Sequence, residues 1–85
     1  MAAGHLLDLS EGGCAVLFKN RVEANLAARM QLEVEGKELW LPVVTRWARR
    51  DSQGWTVGCQ FDRPTEEKQQ AIRALVAERR NLVAS

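Results

Sequence analysis

Asp8, Ser10, Gly12 and Gly13, within the stretch "HLLDLSEGGCAVLF" (residues 5–18), are the residues whose types and spacing point most directly to chemistry. Alternate residues of a strand share a face, so Asp8 and Ser10 point into the same space with Cα atoms roughly 6 to 7 Å apart. An ionised aspartate offers two acceptor oxygens and a serine hydroxyl can donate or accept. Together they suit the edge of a nucleobase that carries adjacent N–H groups. The two glycines would let a ligand approach the backbone closely. Asp, Ser and Gly also build turns by bonding their own backbone, and on local spacing alone that reading has the stronger claim.

The rest of the inventory is poor in catalytic sets. The single histidine, His5, precedes or opens the first strand, and no serine or cysteine has a base and an orienting acid beside it in the pattern. No enzyme activity is expected. Cys14 and Cys59 lie far apart and neither belongs to a C-x-x-C pair, so no zinc site can be assembled and no metal or cofactor is expected. They read as buried thiols; one disulfide between neighbouring strands would be too little to define a secreted scaffold. Arg46, Arg49 and Arg50 surround Trp47, and Lys19 and Arg21 follow the first hairpin. Arginine pairs well with phosphate and with the guanine Hoogsteen edge. Arg49 and Arg50 read instead as part of a solvated turn, with Asp51 as a matched acid. Trp40, Trp47 and Trp55 read as packing residues of the sheet or its helix, although an exposed one could stack on a base.

These residues have to be positioned by a small fold. The chain has 85 residues, a net charge of +1, 46% apolar and 27% charged residues. That is one domain over residues 1–85, and any charge-driven function must be local. The near-neutral charge argues against DNA and other polyanions as partners. The longest apolar stretch, Leu39 to Val44, is far too short to span a membrane, and the chain reads as cytoplasmic. Strands are expected over Gly4–Leu9, Cys14–Phe18, Gln31–Val34 and Glu38 to Arg50, followed by "WTVGCQF" (55–61). Leu7 and Leu9 should share one face of the first strand. Residues 19–28 read as a polar connection, with a helix over 22–30 the weaker alternative. Turns are expected at Glu11–Gly13, at "EGK" (35–37) and at "RRDSQG" (49–54), making three hairpins. Pro42 belongs at an edge, a bulge or a bend, and Gly58 at a bend or close backbone approach. A helix over about 65–82 should start at Thr65, bury Ile72, Leu75, Val76 and one of Leu82 or Val83, and carry Arg79 and Arg80 near its far end.

Taken together, the motif Asp8-Leu-Ser10-Glu-Gly-Gly13 resembles the D-x-S-x-x-G signature of the PilZ domain family, on a strand leading into a glycine turn. The late run "LPVVTRWARRDSQGWTVGCQF" resembles that family's closing strands, ending in G-x-x-F at Gly58 to Phe61, and the helix that follows is similar too. The resemblance implies a mainly β fold: a small antiparallel β-barrel with a C-terminal helix. It also implies a bacterial binding module, not a catalyst, for the second messenger cyclic di-GMP in signal transduction. Asp8 and Ser10 would hydrogen-bond a guanine edge while Gly13 keeps the turn tight beside the nucleotide.

One family feature is missing. An R-x-x-x-R motif usually lies well upstream of the aspartate, where its arginines grip guanine and phosphate. Only seven residues precede Asp8 here, and none is arginine or lysine. Two alternatives follow: a fragment or variant whose first strand and arginine arm are missing, or a degenerate domain that has lost the nucleotide and serves as a protein–protein interaction module. The resemblance implies an effector protein or attached domain as partner, and a barrel without its first strand would have an open edge at which a second copy of the chain or a partner supplying a strand could pair.

Overall fold

A computed structural model describes residues 4–34 and 37–84, with side chains over 4–32 and 38–78. Five strands precede one helix: β1 (Gly4–Leu9), β2 (Gly13–Phe18), β3 (Ala27–Val34), β4 (Lys37–Asp51), β5 (Gly54–Phe61) and α1 (Glu66–Ala84). All strand pairs are antiparallel, in the order β1-β2-β5-β4-β3. The fold is mainly β, as expected, and its sheet is not closed, leaving β1 and β3 as edges.

The three expected hairpins are present, but the sheet is not a simple meander, because β5 inserts between β2 and β4. It is also strongly curled. Cys14 Sγ on β2 lies 3.6 Å from Met30 Sδ on β3, although β5 and β4 stand between those strands in the ladder. The concave side holds the core of Leu9, Cys14, Val16, Leu41, Val43 and Phe61, closed by Ile72 and Val76 of α1.

Several local expectations shift. β3 begins at Ala27, four residues before Gln31, and no helix forms over 22–30. The buried Thr45 hydroxyl fixes the start of β3, accepting from Leu26 N–H at 2.9 Å and donating to the Glu23 carbonyl at 2.8 Å. Apolar Ala27 and Ala28 therefore join the ladder because a long-range side chain anchors them. A β-bulge between Leu6 and Asp8 breaks the alternation of β1. Leu6, not Leu7, packs with Leu9 on the core side, and Leu7 is 49% exposed.

Pro42 lies inside the sheet, at the point where the β4–β5 ladder ends: the last pair is Val43 with Phe61, and Asp62 N–H still donates to the Pro42 carbonyl at 2.8 Å. Its missing donor therefore falls where no partner strand continues. Arg49 and Arg50 belong to β4, not to a turn, since pairing runs on to Asp51 with Gly54. The turn expected at 35–37 falls largely on Glu35 and Gly36, outside the described residues. Thr65 caps α1 by accepting from Lys68 N–H at 3.3 Å, and Glu66 and Glu67 occupy the first turn. The helix continues to Ala84, so Arg79 and Arg80 precede the last turn, which has no basic residue. The side chains of Leu82 and Val83 are outside the described residues. No helix among the described residues is long and apolar enough to cross a membrane.

Candidate functional site

The site begins with two irregularities in the strands. Bulges interrupt β1 between Leu6 and Asp8 and β4 between Thr45 and Trp47. Each adds a residue and turns the following side chain to the opposite face. As a result Asp8, Ala15, Gly58 and Trp47 stand opposite one another in a single row across four strands, on the convex face. The row spans three strand spacings, roughly 14 Å. Its middle members are the two smallest residues available, and its ends are a carboxylate and an indole. The arrangement is a groove with a flat floor.

The neighbouring positions complete it. Asp8, Ser10, Gly13, Arg46, Trp47 and Gln60 line a shallow groove of about 340 Å³, at the small end of ligand clefts. Asp8, Ser10 and Gly13, singled out from sequence, are thus brought together on one surface.

At the corner, Asp8 Oδ1 accepts from Leu9 N–H at 3.0 Å. Ser10 donates from its N–H at 2.9 Å and from its hydroxyl at 3.2 Å, both to the Gly13 carbonyl. These are the turn bonds that the local sequence allows. They leave Asp8 Oδ2 without a hydrogen-bond partner among the described residues and leave the lone pairs of the Ser10 hydroxyl open. Both side chains are exposed. Gly13 is sterically required: a Cβ there would collide with the Cys59 carbonyl of β5. Gly12 is open to solvent, with no atom near the place a Cβ would take, while its carbonyl accepts from Phe61 N–H at 3.0 Å.

The opposite wall was not read as a site from sequence. Trp47 is 45% exposed and lies flat over Gly58, where a Cβ would overlap the indole. The close approach expected at Gly58 is therefore to a side chain. Arg49 sits over the Trp47 ring with Cζ 5.8 Å from the centroid. Arg46, the residue added at the bulge, is held by Nε donating to Gln60 Oε1 at 2.7 Å. The groove thus offers an acceptor pair at one end, an aromatic surface at the other and a guanidinium beside it. No group of three or more His, Cys, Asp or Glu side chains among the described residues is placed to hold a metal.

The strand-borne D-x-S-x-x-G corner, the antiparallel sheet closing on G-x-x-F and the helix that follows define a small β-rich domain. The PilZ domain family model matches residues 2–78, and the chain belongs to that family. No curated protein and no solved structure matches it.

Proposed function

We propose that this PilZ domain binds cyclic di-GMP in the cytoplasm through the convex groove and passes the bound state to an effector protein or attached domain. The observation that carries the reading is the row from Asp8 to Trp47, which sets hydrogen-bond acceptors at one end and an indole laid over Gly58 at the other, with only the Ala15 methyl between them. Asp8 Oδ2 accepts from the N1–H and N2–H of guanine, with Ser10 alongside. Trp47 stacks on a base or ribose face, and Arg46 pairs with phosphate. Arginines supplied from another segment or chain would add the phosphate grip that this sequence lacks upstream of Asp8. The open edges β1 and β3 are where such a segment, an effector strand or a second copy would pair.

Calorimetric titration tests this directly. Cyclic di-GMP is expected to give a saturable isotherm, with cyclic di-AMP, whose base lacks the N1–H and N2–H donors, binding at least tenfold more weakly. Absence of heat with the guanine dinucleotide removes the ligand reading. It leaves the second one, a protein-interaction module, which is favoured by the turn bonds that already occupy Asp8 Oδ1 and the Ser10 hydroxyl proton.

A further inference from the structure

The concave side of the same strands carries a second chemical feature. One residue from Gly13 and one from Gly58, the alternation of β2 and β5 turns Cys14 and Cys59 inward, and the two are direct partners in the antiparallel register. Directly opposed antiparallel residues have Cα atoms about 4.5 or 5.5 Å apart, depending on the type of pair. Both distances fall within the roughly 4.4 to 6.8 Å that a disulfide spans. Both cysteines are free, Cys14 buried and Cys59 half-buried. The Cys14 S–H has two sulfur acceptors in reach, the Cys59 thiol and Met30 Sδ at 3.6 Å. Buried cysteine needs no chemistry to justify it, but two in register, in contact and unequally exposed are set for a reaction that packing alone does not require.

We propose that Cys14 and Cys59 are a modification site: a cross-strand thiol pair that a hydroperoxide oxidises to an intrachain disulfide. Cys59 is the attacking residue because it is the more exposed, and the hydrogen bond from Cys14 favours its thiolate. The same contact, together with burial, pushes the Cys14 thiol up and keeps it protonated. The Cys59 thiolate attacks one peroxide oxygen and the O–O bond breaks. Sulfur is oxidised to sulfenic acid, and the leaving hydroxide takes up the proton that the Cys59 thiol released on ionising, giving the first water. Cys14 then gives up its proton and attacks the sulfenic sulfur. An S–S bond forms, the S–O bond breaks, and the hydroxide leaves with that proton as water. Two thiols and one hydrogen peroxide become one disulfide and two waters.

The test uses the reduced wild-type chain titrated with hydrogen peroxide. The expected result is loss of both titratable thiols per peroxide consumed, a mass decrease of two hydrogen atoms, and a Cys14–Cys59 linked peptide in a non-reducing digest that dithiothreitol reverses. Cys14→Ser should accumulate a sulfenic acid on Cys59 that dimedone traps, and Cys59→Ser should give no adduct. Oxygen added to either cysteine or to Met30 in place of the bridge, intermolecular dimers only, or thiols untouched under excess peroxide would overturn the proposal. The wild-type digest decides even if a serine variant does not fold.

Discussion

The corner Asp51-Ser52-Gln53-Gly54 and the corner Asp8–Gly13 each put an aspartate, a serine and a glycine at the end of a hairpin, yet their carboxylates are used differently. Asp51 Oδ1 accepts from Gln53 N–H at 2.8 Å and Gly54 N–H at 3.1 Å, and Oδ2 from the Thr56 hydroxyl at 3.1 Å. Both of its oxygens serve the turn. Asp8 spends one oxygen on its neighbour's N–H and leaves the other without a hydrogen-bond partner among the described residues, at the lining of a groove that Trp47 also lines. Residue types are thus shared by a structural turn and a candidate recognition corner. What separates them is the number of acceptor sites left over and what stands across from them.

The largest effect that could break this comparison is Asp8→Ala against Asp51→Ala. A charge-assisted hydrogen bond is worth about 1.5 to 3 kcal/mol. At roughly 1.4 kcal/mol per tenfold, Asp8→Ala should weaken cyclic di-GMP binding by about one to two decades. Its thermal midpoint should stay close to wild type. Asp51→Ala should do the reverse, lowering the midpoint and leaving the isotherm superimposed. Paired calorimetry and melts check both, and equal loss of binding in the two variants would erase the distinction between the corners.

Trp47 sharpens the same contrast, because Asp51 has no aromatic wall opposite it. Loss of a stacking surface costs about 1 to 3 kcal/mol per base, so Trp47→Ala should cost a decade or so in affinity, with Trp47→Phe retaining most of it. A Trp47→Ala isotherm identical to wild type would show that the groove ends short of the indole.

How far the sequence reaches can be seen in these two walls. Asp8, Ser10 and Gly13 were legible because their relation is local: a strand period and a turn within six residues. The hairpins of β3 with β4 and β4 with β5, and the helix start at Thr65, were legible for the same reason. Trp47 and Arg46 were not, since their place in the groove depends on β5 inserting beside β2 and on bulges at Leu6/Asp8 and Thr45/Trp47. Without the β4 bulge, strict alternation would have sent Trp47 into the core, as the sequence pattern implied. The early start of β3 was hidden likewise, because it hangs on the Thr45 hydroxyl nineteen residues away from Leu26. Gly58 was the available hint: an isolated strand glycine marks close approach, though not what approaches.

Ser10→Ala should have a smaller effect than either wall. Its hydroxyl already donates to the Gly13 carbonyl, so a ligand gains one neutral hydrogen bond, worth about 0.5 to 1.5 kcal/mol. A twofold to tenfold loss of affinity is expected, with the turn kept by the Ser10 N–H bond to the same carbonyl. A loss as large as that of Asp8→Ala would mean that the serine holds the corner itself in shape.

The smallest effect concerns Asp51 and acid. The Gln53 N–H bond, aided by the Thr56 hydroxyl, the Gly54 N–H and the Arg49 charge, holds its carboxyl below the ordinary 3.8. A carboxyl depressed in the folded state stabilises the fold above its unfolded pKa and loses that contribution as pH falls through its folded one. The window therefore lies at and below 3.8, not near neutrality. The group is fully exposed, so solvent screens much of the gain. Thermal melts of wild type and Asp51→Asn, followed from neutral pH into acid, should differ by a small constant gap that closes through this window. A gap that persists in acid would mean that the turn depends on the shape of the Asp51 side chain more than on its charge. The Asp51 corner would then differ from the Asp8 corner in its satisfied bonds alone.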